Sequence, residues 1–444
     1  MAINYETDTI SAIATPFGTG AIGIVRMSGS RSFEICEKIF SKKLISGKIM
    51  FGNIFDENEI VDEVIVLPFK APVGYTGEDS VEIQCHGGIN VVKKILSLTY
   101  KHGSRPAERG EFTKRAFLNG KMDLSEAEAV ADLIHAKTMK FAQKSAENLS
   151  GKLSLKIDEL YGKLFDLLSK ITAAIDFPED VEEPEYSYIE NELNSIISEI
   201  KRISAISKSS DLLRQGVKIA IIGRPNVGKS SLFNVLLNFE RAIVTDTAGT
   251  TRDAIREMID IGGVPVTVID TAGLREENCA DRIEKIGMDF TKKCIAEADG
   301  VLFLFDSSVG MTSEDEEIFK LAEGKPFLKV ASKCDLTEKC YDGCISVSSV
   351  TGQNTDRLKS ELLNLICTDL DGETEFVTNE RQQNCLNRAL VSCENALNAT
   401  KTGELQDLIY IDVKKALLEL GEIKGEVVTD DILNNIFENF CIGK

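Results

Sequence analysis

Positive charge is in short supply in this sequence. Its 444 residues hold 51 Lys and Arg against 71 Asp and Glu, a formal net charge of −20. That excludes a broad basic face gripping nucleic acid, because phosphate contacts need Lys and Arg. A local patch, or a partner that brings the positive charge, stays open. Histidine is scarce: His86, His102 and His135 are too few for a His-rich metal site. The 11 cysteines include no CxxC pair and no metal-ligand spacing. In so long a chain they read as reduced thiols of a cytoplasmic protein, not as a disulfide frame. No apolar run reaches the roughly 18 residues of a membrane span. The opening MAINYETDTI carries acids and neither Arg nor Lys, unlike a signal or transit peptide.

What remains is ordinary globular composition, 43% apolar and 27% charged. The length exceeds one compact core, so two or three domains are expected. Over 1–120 the pattern is α+β. DTISAIATP, GAIGIVRMSG, VDEVIVLPF and DSVEIQCHGG read as strands, SFEICEKIF as a helix, and INVVKKILSLTYKHG as a helix ended by Gly103. From Asp123 the texture turns helical, with Ser125 and Glu128 as a candidate capping box. Leu153, Ile157, Leu160, Leu164, Leu167 and Ile171 form one apolar stripe. Pro178 and the acidic PEDVEEPE break it, and Leu193, Ile196, Ile200 and Ile203 mark another helix. Such stripes need partners, which the C-terminal helical segments supply. Between them, VKIAIIG, VPVTVID, GVLFLFD and PFLKVAS have the continuous apolar character of buried parallel strands. The expected organisation is therefore an α+β domain over 1–120, a helical domain over 121–215 plus 371–444, and a doubly wound α/β domain inserted over 216–370.

The inserted domain carries the clearest chemistry. GRPNVGKS, residues 223–230, matches GxxxxGK[ST] between a strand and a helix. Backbone N–H groups of such a loop cradle phosphates, Lys229 reaches the outer ones, and the Ser230 hydroxyl takes a place on Mg²⁺. DTAG, 270–273, ends a strand: Asp270 holds Mg²⁺ through water, and the Gly273 N–H faces a γ-phosphate. GTTRD, 249–253, offers Thr251 as a second Mg²⁺ ligand. SKCD, 332–335, gives Asp335 to the N–H and NH₂ edge of guanine, a donor pair that adenine lacks. SSVTG, 348–352, adds the last base-contacting loop. These four ordered elements select GTP over ATP. Ser332 stands where guanine loops usually carry Asn, so weaker bracing is expected. Leu274 follows DTAG where Ras-like GTPases place a water-orienting Gln. Asn226 has two readings, a K⁺ ligand beside the phosphates or a residue that favours the turn.

With TPFGTGAIGIVRMSG (15–29), GYTGEDSVEIQCHGG (74–88), RGEFTKRAFLNGKMDLSEAEAVADLI (109–134), AAIDFPED (173–180) and the terminal FCIGK, these motifs closely resemble the MnmE (TrmE) family of tRNA-modifying GTPases along the whole length. The resemblance implies a multidomain α/β and all-α fold: an N-terminal α+β folate-binding and dimerisation domain, a helical domain and an inserted Ras-like P-loop GTPase domain. It implies a homodimer that works with an FAD-dependent MnmG-like protein, as a heterotetramer, on the wobble uridine of certain tRNAs, with no membrane involved. An aminomethyl or carboxymethylaminomethyl group goes on C5, its carbon drawn from 5-formyl-tetrahydrofolate or a related tetrahydrofolate.

By the same resemblance GTP is bound by Asn226, Val227, Gly228, Lys229, Ser230 and Ser231, and by Thr245, Asp246, Thr247, Ala248, Gly249, Thr250 and Thr251. Asp270, Thr271, Ala272, Gly273, Ser332, Lys333, Asp335, Ser348, Ser349 and Val350 complete that set. K⁺ is held by Asn226, Thr245, Thr247 and Thr250. Glu284 is the water-orienting carboxylate, with Glu276 and Glu277 as alternatives. The folate site uses Arg26, Glu82, Lys121 and Lys444, matching cations to a glutamate tail and a carboxylate to the pterin amide edge.

The tail imitates a prenylation box, but Gly443 stands where an aliphatic residue is needed and Lys444 closes it. Cys441 is then either a reactive group of the modification chemistry or a packing residue beside Phe440. A regulatory ribosome-assembly-type GTPase without covalent RNA chemistry is the competing reading; it calls for a basic RNA-binding module, which is not visible.

Overall fold

The computed structural model describes residues 8–237, 255–270, 290–366 and 378–444. These form two compact units. One comprises 1–131, 148–192 and 391–444, the other 132–147 and 193–390.

The first unit begins with strands β1 (Ile10–Ile13) and β2 (Ile22–Ser28), helix α1 (Ser32–Ile39) and strands β3 (Met50–Asp56), β4 (Glu59–Phe69) and β5 (Ser80–His86). Helix α2 (Ile89–Lys101), the short β6 (Arg105–Pro106) and α3 (Glu111–Leu118) follow. The sheet order is β3-β4-β5-β2-β1-β6. Alternation along each strand divides the two faces. Val25, Met27, Val64, Val66, Val81 and Ile83 pack on Ile35 and Ile39 of α1 and on Val92, Ile95 and Leu98 of α2. On the opposite face Ile10, Ala12 and Phe112 form a smaller core, with Tyr75 against it. α2 ends as anticipated, with Gly103 at φ +110°. β3 and α3 were not legible in the pattern.

The helical segments that follow are divided between the two units, residues 132–147 and 193–215 falling in the second. α4 (Leu124–Ile134), α5 (Met139–Leu149) and α6 (Lys152–Asp176) precede α7 (Tyr186–Gln215). All six stripe residues of α6 are buried. The expected capping box at Ser125 and Glu128 is displaced. Asp123 and Glu126 close it instead, each backbone N–H donating 2.8 Å to the other's carboxylate. The Ser125 side chain is buried in the first turn of α4, two residues past the capping position. An aspartate before the first helical residue competes for that role as well as serine does.

The second unit holds β7 (Val217–Ile222), α8 (Lys229–Leu237), β8 (Ile255–Ile261), β9 (Val264–Asp270), β10 (Gly300–Asp306), α9 (Ser313–Lys320), β11 (Phe327–Ser332), β12 (Ile345–Val347) and α10 (Thr355–Ile366). The sheet order is β12-β11-β10-β7-β9-β8, parallel except for the β8 edge. Both faces are covered, which explains the continuous apolar runs. α11 (Glu380–Thr402), α12 (Gln406–Lys424) and α13 (Asp430–Glu438) end the chain. α12 packs along α6, as expected of a C-terminal partner; Lys424 donates to Asp158 at 2.5 Å.

A charge cluster holds α3 in place. Arg115 Nη2 donates to Asp8 Oδ1 (2.6 Å) and Glu111 Oε1 (2.9 Å), and Nη1 to Glu78 Oε2 (3.1 Å). Arg105 donates to both Glu111 oxygens and to Asp8. Burial alone would raise the pKa of Asp8 and Glu111, but the Arg115 and Arg105 hydrogen bonds prevail and hold both below their ordinary values. The unfolded chain takes up protons near 3.8 and 4.5, the folded chain only at lower pH. This stabilisation is therefore complete above about pH 4.5 and lost as pH falls through the lowered values. Amide-exchange protection of α3 should decline below that pH, and Arg115→Met should flatten the decline. An unaltered pH slope in the variant would contradict the cluster's role.

Candidate nucleotide site and C-terminal tail site

The phosphate loop is set by the sheet it leaves. Gly223 follows β7 at φ +148°, where a Cβ would lie 2.2 Å from Leu304 O, so only glycine fits. Asn226 sits at φ +65° and Gly228 at +101°. Asparagine tolerates that left-handed backbone, which fits the turn reading of Asn226 and leaves its side chain compatible with the K⁺ reading. Lys229 opens α8 and its Nζ donates back to Gly223 O and Arg224 O, both at 2.7 Å. The lysine thus spans the loop it belongs to. Ser230 Oγ is 3.3 Å from Asp270 Oδ2. These two hard oxygens, from the start of α8 and the end of the neighbouring β9, suit a Mg²⁺ ion.

The strand order carries the base loops to the same rim. Ile221 pairs with Asp270, Asp306 with Ser332, and Ser332 with Val347. All lie at carboxyl ends of parallel strands, where open α/β sheets bind ligands. Ser332 is buried, its Oγ 2.5 Å from Val227 O and 2.9 Å from Phe305 O. One hydroxyl proton thus serves two carbonyls, and the base loop is tied to the phosphate loop despite the missing asparagine. Lys333, at φ +58°, donates 2.6 Å to Asp306 Oδ2. Burial works to raise the Asp306 pKa, yet hydrogen bonds from Lys333 and Ser308 bring it below the usual aspartate value. Asp335 is exposed on the turn Cys334–Leu336. Ser348 Oγ accepts from the N–H groups of Val350 and Thr351 at 3.3 and 3.2 Å, shaping the second base loop, and Val350 is exposed. Ser231 follows Ser230 on α8 and is exposed. Thr245, Asp246, Thr247, Ala248, Gly249, Thr250, Thr251, Thr271, Ala272, Gly273, Glu276, Glu277 and Glu284 lie outside the described residues.

The second site is built by the last four residues. The Gly110 N–H donates to Cys441 O (3.4 Å), the Phe112 N–H to Lys444 O (3.2 Å), and Arg109 bridges Ile442. Gly443, at φ +93°, lies so close to β1 that a Cβ would meet Ile13 O at 2.3 Å. Arg26 of β2 and Glu82 of β5 are register partners; Arg26 Nε donates to Glu82 Oε1 at 2.9 Å and Nη1 to Gly443 O at 3.4 Å. The Arg26 guanidinium lies 5.3 Å from the Tyr75 ring centroid and 5.7 Å from that of Phe112. Lys444 is half-buried, and burial together with the Arg26 charge holds its amine below the ordinary lysine value. Cys441 is exposed. The packing role considered for it belongs to Phe440, which is buried with its ring 5.1 Å from Phe437.

Arg26, Glu82 and Lys444 are therefore gathered in one cluster. Lys121 stands on the neighbouring loop, its Nζ donating to Pro72 O at 3.3 Å. Tyr75 and Phe112 went unread in the sequence, although both lie within the quoted segments GYTGED and RGEFTKR.

The Ser332 brace is testable. Ser332→Ala should weaken guanine nucleotide affinity by about fivefold to tenfold, since two buried carbonyls lose their donor. Titration with a fluorescent GDP analogue measures this, and an unchanged Kd would contradict the brace.

Comparison with known proteins gives the setting of these two sites. The family described as "GTP-binding protein TrmE N-terminus" matches residues 9–121, and "MnmE helical domain" matches 124–441. A protein of Thermoanaerobacter pseudethanolicus named "tRNA modification GTPase MnmE" is 46% identical, covering 98% of this chain and 99% of its own. Proteins of the same name from Desulforamulus reducens and Lactococcus lactis subsp. cremoris are each 41% identical, covering 98% and 100% of this chain and 99% and 100% of their own. The match runs through both units, and nothing in it supports the ribosome-assembly alternative. This chain belongs to the MnmE family of tRNA modification GTPases.

Proposed function

We propose that this chain hydrolyses GTP in the service of tRNA modification. With an FAD-dependent MnmG-like partner it adds an aminomethyl or carboxymethylaminomethyl group to C5 of the wobble uridine. The observation that carries this reading is the match to tRNA modification GTPases over 98% of the chain. The exposed Cys441 held near Arg26 and Lys444 supports it.

In the nucleotide site, loop N–H groups and Lys229 bind the phosphates, and Asp335 takes the guanine edge. Ser348, Ser349 and Val350 flank the base. Ser230 and Thr251 would hold Mg²⁺, with Asp270 behind them. Asn226, Thr245, Thr247 and Thr250 would hold K⁺. These cations, when bound, neutralise charge that develops on the phosphates. Glu284 orients the attacking water.

In the tail site, Arg26, Glu82, Lys121 and Lys444 bind 5-formyl-tetrahydrofolate or a related tetrahydrofolate, and Cys441 is the reactive group of the modification. The domains are 1–120 for folate binding and dimerisation, 121–215 with 371–444 for the helical part, and 216–370 for the GTPase. The working form is a cytoplasmic homodimer within a heterotetramer. Among the described residues no helix is long and apolar enough to cross a membrane.

Lys229→Ala should abolish GTP binding. Glu284→Ala should keep binding and slow turnover, and hydrolysis should run faster in KCl than in NaCl at equal ionic strength. Normal affinity in the first variant would refute the phosphate-loop role. Normal turnover in the second would move the carboxylate's role elsewhere, and equal rates in the two salts would remove K⁺ from the account.

A further inference from the structure

Lys333, the second residue of the base loop SKCD, stands in a conformation that residues with side chains avoid. Its φ is +58° and its ψ +38°, in the left-handed region. Such a residue persists only where its surroundings hold it. Before it, the Ser332 carbonyl accepts from the Ser307 N–H at 3.0 Å. After it, the Leu336 N–H donates to Lys333 O at 3.0 Å and closes the turn Cys334–Leu336 that bears Asp335. The side chain supplies the third hold, since Lys333 Nζ donates to Asp306 Oδ2 at 2.6 Å.

The carboxylate that receives the lysine is itself fixed. Asp306 ends β10 in register with Ser332 and continues the row Leu302 and Leu304, on the face packed with Val227 and Leu232. Its Oδ1 accepts from the Ser308 N–H at 2.9 Å and from Ser308 Oγ at 2.6 Å, which leaves Oδ2 for the lysine. The Asp306 side chain is 12% exposed and that of Lys333 35%, so water screens this pair less than an open surface pair. The Arg224 guanidinium of the phosphate loop, bonded through Nε to the buried Asp315 at 2.8 Å, also feels the Asp306 charge.

We propose that Asp306 is a positioning residue for guanine recognition: by anchoring the Lys333 ammonium it holds the left-handed turn that presents Asp335 to the base. The proposal rests on the assignment of Asp335 to the guanine edge. It also accounts for how the loop is fixed without asparagine at 332. Ser332 reaches backbone carbonyls, those of Val227 and Phe305, so the charged side-chain anchor of the loop falls to the next residue. In this role the ammonium stays on Asp306 when nucleotide is bound. A lysine that instead left Asp306 for the nucleotide would be hindered by that carboxylate, and removing the charge would then tighten binding.

Displacement of a fluorescent GDP analogue from the full chain, by GDP and by inosine diphosphate, separates these cases. Inosine lacks the exocyclic amine of guanine, so the ratio of the two affinities reads the Asp335 contact. Asp306→Asn keeps an acceptor for Ser308 and removes the charge. It should weaken GDP about fivefold to tenfold and inosine diphosphate less, narrowing the ratio, whereas a general loosening of the domain would weaken both alike. Lys333→Met, at a partly exposed position, keeps the stem without the ammonium and should give the same loss. The double variant should lose no more than either single one. Unchanged or tighter GDP binding in Asp306→Asn, an unchanged ratio, or additive losses in the double variant would overturn the positioning role while leaving guanine binding in place. A wild-type chain that does not distinguish GDP from inosine diphosphate would overturn the Asp335 assignment with it.

Discussion

Backbone pairing of the last four residues against the segment that opens α3 is the constraint on which the N-terminal site depends. It uses main-chain groups of Gly110, Phe112, Cys441 and Lys444, so side-chain chemistry is left free for other work. The pairing is possible because Gly443 turns with positive φ against β1, where any side chain would collide with Ile13 O. From that arrangement follow the exposure of Cys441, the half-burial of Lys444 and the contact of Arg26 with the Gly443 carbonyl. The Asp8–Glu111–Arg105–Arg115 cluster secures the other side of the pairing by fixing α3.

The nucleotide site obeys a different logic, that of a parallel sheet. Its residues come from five strand ends spread over more than a hundred sequence positions, and register alone brings them to one rim. Ser332 then couples the base loop to the phosphate loop through Val227 O. The coupling is electrostatically modest, one hydroxyl between two carbonyls, but both carbonyls are buried and have much to lose without it. A protein with net charge −20 can still bind a polyanion there, because loop N–H groups and one lysine act locally while the wider field is screened.

Legibility in the sequence followed the range of the interaction. The central parallel strands could be read because burial on both faces makes them continuously apolar, and the α6 stripe because helical packing repeats every three to four residues. β3 could not: MFGNIFD places glycine and asparagine among its apolar residues. β12 has three residues, too few to show a period. Ser125 mimicked a cap, but Asp123 was better placed and took the role. Arg26, Glu82 and Lys444 were named through family motifs. The Tyr75 and Phe112 rings over Arg26 were not, since a stacking partner leaves no linear signal. The tail's pairing joins positions about 330 residues apart, beyond any local pattern.

The most direct test of the central claim is mass spectrometry of tRNA nucleosides from cells with and without this gene, complemented by the wild-type chain or by Cys441→Ser. The account predicts loss of C5-aminomethyl-type wobble uridines without the gene, restoration by the wild type, and no restoration by Cys441→Ser. A nucleoside profile unchanged by loss of the gene would contradict it.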